Sequence, residues 1–198
     1  KSIIILVNGV NQLADYEGAY LLPPVPVEAI DRIEIVRGPL SVTYGSGAFF
    51  GAINIITNDV SATPGAASHS SVLRGNQDTS RWFGRTSYKH PDGQVVLQAS
   101  TYQSAGVDVP YRELESKFVG NEGDLTTGGR LEESDDYLEL SGNYQNFSFS
   151  LFRTQTNREG YVGAPTVKSG NVRKVDTSMA QIGYQTKWSK QWSLSGKL

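Results

Sequence analysis

From Ser70 to Leu198 the chain repeats one pattern: about ten residues of alternating apolar and polar side chains, then a break. The breaks predict seven strands, near Ser70–Gly75, Thr79–Lys89, Gln94–Tyr102, Asp135–Tyr144, Phe147–Thr156, Lys174–Trp188 and Trp192–Leu198. Alternation with period two sends successive side chains to opposite faces, so each strand has one apolar and one polar face. In Asp135–Tyr144, Leu138 and Leu140 share a face, and Glu139, Ser141 and Asn143 share the other. Phe147, Phe149 and Leu151 alternate with Ser148 and Ser150, and Arg81 and Arg85 lie opposite Trp82 and Tyr88.

The connections alternate as well. "HPDG" (His90–Gly93) is a tight turn, with Pro fixing φ and Gly accepting a positive φ. Gln145-Asn146 and Ser189–Gln191 are short as well, whereas the other connections are longer, Ser104–Ser134 and Asn157–Arg173, with a shorter one near Asn76-Gln77. Short turns at one end and long loops at the other are the pattern of a transmembrane β-barrel. Trp82, Tyr88, Tyr102, Tyr144, Trp188 and Trp192, near strand ends, suit its aromatic girdles. A soluble β-sandwich binding module would alternate in the same way, because one face of its strands is buried too. Strand length and loop asymmetry favour the barrel.

The first 60 or so residues read differently. Ile3–Val7 is a continuous aliphatic strand, and Asn8-Gly9 after it is a type I′ hairpin signal. "PVPVEAID" (Pro24–Asp31) predicts a short helix with Pro26 in its first turn. Arg32–Val36 alternates as a strand, Gly38-Pro39 breaks it, a turn or short helix runs to Tyr44, and Ala52–Thr57 is a strand again. The reading is an α+β unit over residues 1–59, a small-residue linker over 60–68, and strands over 69–198.

Composition closes off several functions. A net charge of −2 with 19% charged residues gives no basic face for nucleic acid. With no cysteine there is neither a disulfide framework nor a thiolate metal site. No apolar run is long enough for a membrane-spanning helix. Lys1 opens directly onto a strand, so it reads as the interior of a longer protein, and the lack of a signal peptide says nothing about compartment. His69 and His90 have no second ligand at metal spacing, and nothing resembles a nucleophile elbow or a triad, so neither a metal site nor an enzyme is expected.

"GSGAFFG" (Gly45–Gly51) is no phosphate loop: no lysine follows, and a strand rather than a helix does. Together with its flanks it resembles something else. Leu6–Val10, Ile30–Pro39, Tyr44–Ala48, Gly51 and Ile53–Thr57 match, in order and spacing, the plug domain of TonB-dependent outer-membrane receptors. Asn8 stands where that family usually has Asp, which suits the same turn. Phe50 stands where the first of two glycines is usual, and a positive φ there would be costly for Phe.

The resemblance implies a plug closing a barrel of about 22 strands. Such a barrel needs about 220 strand residues, so seven candidate strands make this chain a fragment: the end of a plug and the start of an incomplete transmembrane barrel. The function implied is active uptake, across the outer membrane of a Gram-negative bacterium, of a ferric siderophore or another iron chelate. Haem and cobalamin receptors share the plug pattern. The implied partners are the TonB energy-coupling complex, whose TonB box is absent from this sequence, and outer-membrane lipid. By resemblance Arg37, in "VRGP", latches the plug to barrel carboxylates on later strands. The loop Asn11–Leu22 corresponds to an apical plug loop, where Gln12, Asp15, Tyr16, Glu17 and Tyr20 would touch ligand. The carboxylates of loop Ser104–Ser134 and the following "EESDD" lack EF-hand spacing, so a solvated charge cluster is preferred to a Ca²⁺ site. No resident cofactor is expected.

Overall fold

Two sheets carry the chain. The structure, a computed structural model, describes residues 3–12, 24–38, 48–57, 64–108, 129–159, 170, 172–187, 189 and 193–197. The first sheet has four strands: β1 (Ile3–Val7), β2 (Val10–Asn11), β3 (Arg32–Arg37) and β4 (Gly51–Ile56), in the order β2-β1-β4-β3. The hairpin forms where Asn8-Gly9 predicts it, with φ of 50° at Asn8 and 81° at Gly9. β1 pairs antiparallel with β2 and in parallel with β4, which seats the aliphatic β1 between two neighbours, and β3 closes the sheet antiparallel to β4.

The helix expected over Pro24–Asp31 is only a 3-10 turn, Val27–Ala29. Pro26 precedes it with no side-chain cap and Ile30 follows in extended backbone, so nothing propagates the turn into a helix. Among the described residues there is no α-helix, and those of this unit form a small mixed sheet with one 3-10 turn. Gly51 is needed for close approach: a Cβ there would lie 2.5 Å from the Val36 carbonyl oxygen on β3. Phe50 keeps a φ outside the positive region, so its side chain costs the backbone nothing there.

The second sheet is a seven-stranded antiparallel meander in chain order: β5 (Gly65–Arg74), β6 (Ser80–His90), β7 (Gly93–Ser104), β8 (Glu133–Tyr144), β9 (Phe147–Glu159), β10 (Val172–Lys187) and β11 (Ser193–Lys197). β5 starts at Gly65, inside the stretch read as linker, because Ala66, Ser68 and Ser70 pair with Tyr88, Thr86 and Gly84 of β6. Pro91-Asp92 joins β6 to β7 as expected, but Gly93 does not use a positive φ. A Cβ at Gly93 would instead strike the Asn143 carbonyl oxygen on β8.

Burial in this sheet is inverted relative to a soluble protein. Glu139, Gln98, Ser100, Ser141 and Thr154 are buried, while Leu138, Leu97, Leu151, Phe149 and Ile182 are exposed. Register stacks the exposed set into rows: Leu97 beside Leu140, Leu140 beside Leu151, Leu151 beside Ala180. A sandwich would bury this apolar face against a second sheet. An outward apolar band over a polar interior is what a barrel wall in lipid requires. Tyr144, Phe147 and Tyr184 lie side by side at the short-turn end, with the Phe147 and Tyr184 rings 4.9 Å apart, as a girdle segment would. Tyr102 does not join a girdle. Its hydroxyl donates to Glu133 at 2.7 Å and Arg81 lies 5.3 Å from its ring centre. Trp188 and Trp192 lie outside the described residues. No helix among the described residues is long and apolar enough to cross a membrane.

The first sheet packs against the polar face of the second. Val7 and Ile55 from the small sheet and Ala29 from the 3-10 turn form one buried cluster with Phe83, Tyr137 and Phe152 from the large sheet. Burying a side chain such as Phe83 contributes roughly 1.5–3 kcal/mol. A separate cluster of Ile4, Leu6, Ala48 and Ala52 lies within the small unit.

Candidate functional site

Three rows of inward side chains on the large sheet receive the small one, and the middle row carries charge. Cross-strand register aligns Arg85 on β6 with Gln98 on β7, and Gln98 with Glu139 on β8. Glu139 and Gln98 are fully buried. A carboxylate enclosed by protein must be hydrogen-bonded or paired, and Glu139 takes its partners from both sheets.

From the wall, the Tyr137 hydroxyl donates to Glu139 Oε2, and Gln98 Nε2 donates to the same oxygen at 2.8 Å. From the small unit, Thr57 Oγ1 donates to Glu139 Oε1 at 2.8 Å and Asn8 Nδ2 reaches it at 3.2 Å. Asn8 and Thr57 first hold each other: Asn8 Nδ2 lies 2.7 Å from Thr57 Oγ1, and the Thr57 amide donates to Asn8 Oδ1 at 3.0 Å. Gln98 Nε2 also reaches the Thr57 carbonyl at 3.3 Å, and Arg85 Nε donates to Gln98 Oε1 at 3.0 Å.

The hairpin turn and the end of β4 thus present a ready pair, Asn8 and Thr57, to one wall carboxylate. Asn8 serves twice. Asparagine tolerates its left-handed backbone, and its amide faces Glu139. Asp would suit the turn equally well but would set a second carboxylate against Glu139, so the difference from Asp matters more than turn chemistry alone indicates.

Two further contacts join the units. Glu28, in the 3-10 turn, lies 3.6 Å from Arg81 on β6. Gln12 is buried, donating to the Val10 carbonyl at 3.0 Å with its amide 3.6 Å from the Met179 sulfur on β10. Beside Asn8 lies a cavity of about 140 Å³, lined among others by Gln94, Val96, Ser141, Phe149 and Gln181.

The residues expected to act are placed unevenly. Gln12 sits in the contact between the two sheets. Asp15, Tyr16, Glu17 and Tyr20 lie outside the described residues, as does Asn121–Asp124. Arg37 ends the edge strand β3, is exposed, and makes no ion pair among the described residues. Of the carboxylates read as a solvated cluster, Glu133 and Asp135 both pair with Arg158, at 3.2 and 2.7 Å. No group of metal-ligating side chains occurs among the described residues. The Glu139 cluster was not anticipated. Its one sequence signal is a carboxylate between two leucines in the middle of a barrel strand, where an inward charge needs a partner.

Residues 1–52 match the family model of the TonB-dependent receptor plug domain. The fold as a whole is similar to solved receptor structures. The siderophore receptor PiuA from Acinetobacter baumannii matches at TM-score 0.66 and 13% identity, over 98% of this chain and 28% of that one. The FrpB iron transporter from Neisseria meningitidis matches at 0.64 and 11%, over 99% and 32%. A mutant of the ferric enterobactin receptor PfeA from Pseudomonas aeruginosa matches at 0.64 and 16%, over 94% and 31%. At these identities the likeness is one of fold. The chain spans about a third or less of the structures it matches.

Proposed function

We infer that this chain, a fragment of a TonB-dependent receptor, belongs to a transporter that takes up an iron chelate across the outer membrane of a Gram-negative bacterium. The observation that carries the reading is the inversion of the wall. Its outer face is apolar, and its inner face is polar and holds a separate small unit through a hydrogen-bonded carboxylate. That inversion supports the reading of a lumen wall closed by a removable plug.

In this reading ligand is gathered by the outer loops and the plug apex, with Asp15, Tyr16, Glu17 and Tyr20 contributing aromatic faces and polar groups. Energy delivered through TonB then displaces the plug from the wall. Arg37 latches the plug to carboxylates on strands beyond those described, where an enclosed guanidinium would find its partner. No bond is made or broken in the cargo. A ferric siderophore is the preferred cargo, supported by the names of the similar receptors from Acinetobacter baumannii and Pseudomonas aeruginosa.

The test is uptake of radioiron carried by catecholate and hydroxamate siderophores into cells producing the full receptor, with TonB present or deleted. Uptake that depends on both receptor and TonB is expected. Uptake of neither siderophore class, or uptake indifferent to TonB, overturns the reading.

A further inference from the structure

The row Arg85–Gln98–Glu139 contains an unspent cation. Arg85 Nε donates to Gln98, yet its buried Nη2 has no hydrogen-bond partner among the described residues. Burying a guanidinium nitrogen without a partner is costly. Its natural counter-charge, Glu139, stands in the same register row with only Gln98 between them. In the docked arrangement Gln98 spans the two, accepting from Arg85 and donating to Glu139.

We propose that Arg85 is the exchange partner of Glu139. While the plug is docked, Thr57 and Asn8 satisfy one oxygen of Glu139, and Tyr137 and Gln98 satisfy the other. When the plug leaves, Thr57 and Asn8 leave with it, and Glu139, which they had covered, loses half its donors. Gln98 then turns aside and the Arg85 guanidinium closes on Glu139, replacing the two plug hydrogen bonds and that of Gln98 with an ion pair inside the wall. The wall carries its own substitute for the plug, so opening does not leave Glu139 without a counter-charge. Arg85 acts through Glu139 and is a positioning residue.

This rests on the reading that the plug moves, and its test involves neither nutrient nor TonB. Full receptor is reconstituted in planar bilayers and potassium chloride conductance is recorded as urea is raised, so that channel opening reports plug displacement. Arg85→Met should lower the opening frequency at a given urea concentration by about tenfold or more, because the displaced state loses its ion pair. Arg85→Lys, which keeps the charge, should open nearly as often as the wild type. Glu139→Gln should open more readily, and adding Arg85→Met to it should change little. Openings as frequent in Arg85→Met as in the wild type overturn the proposal. So does a slowing by Arg85→Met that persists undiminished in the Glu139→Gln background, which would mean Arg85 acts by packing alone. Radioiron uptake failing while these conductance effects hold would overturn the transport reading and leave the exchange intact.

Discussion

Thr57 and Glu139 stand 82 positions apart in the chain, yet Thr57 Oγ1 donates to Glu139 Oε1 at 2.8 Å with both side chains fully buried. One hydroxyl at the end of the small sheet therefore meets one carboxylate on the large sheet. Thr57→Val keeps the shape and removes the donor. It should weaken plug docking by about 1–3 kcal/mol, since the buried oxygen loses a partner and gains none. Protease access to the plug in urea measures this: cleavage should begin at lower urea, while the heat-induced gel shift of the barrel stays unchanged. Cleavage at the wild-type urea concentration would mean that this hydrogen bond contributes nothing to docking.

Asn8→Asp retains the left-handed turn but places a carboxylate against Glu139. Plug docking should weaken in the same protease assay. Combining it with Glu139→Gln should restore most of the loss, because the new amide can donate to the new carboxylate. Two losses that simply add would show that the residues do not interact.

Leu151 lies in the exposed row between Leu140 and Ala180. If that row faces lipid, Leu151→Arg costs about 2–4 kcal/mol near the bilayer midplane. Folding into liposomes should fall, while the same change at the exposed turn position Asn76 should be silent. Equal folding yields for both would favour a water-facing sheet.

Gly93→Ala should displace β8 at the short-turn end, where the added methyl meets Asn143. A loss of roughly 1–3 kcal/mol is expected from the overpacking, read as a lower thermal midpoint. Asp92→Ala, in the adjoining turn but without that contact, should change the midpoint little.

Arg37→Ala tests the resemblance-based latch. Siderophore uptake and plug resistance to protease should both fall, since the partner carboxylates would be left enclosed and unpaired. If both stay at wild-type levels, Arg37 is an exposed strand-end arginine and nothing more.

Much of the architecture was readable because it depends on local pattern. Ile3–Val7 is the strand its aliphatic run predicts, and Gln145-Asn146 joins β8 to β9 as a two-residue turn. The alternation of Leu138 and Leu140 with Glu139 and Ser141 was legible too, but not its sense, because period two is the same whichever face meets water. Only the packed wall shows Glu139 buried and Leu138 exposed. The docking cluster was hidden for a different reason. Asn8 and Glu139 are 131 positions apart, and no local rule relates a turn amide to a carboxylate on a distant strand. The missing helix was a matter of weight. Pro26 suits a helix start, but three residues ending at an extended Ile30 cannot build one.

Thr57, which docks the plug, is followed closely in the chain by Gly65, where the wall begins. Fully stretched, the segment between them reaches at most about 28 Å. That covalent leash turns displacement of the plug's last strand into a swing of bounded radius around its own anchor. In the proposed transport reading, cargo travels past a unit that is pulled aside and kept, and the leash that limits its swing also brings Thr57 back within reach of Glu139.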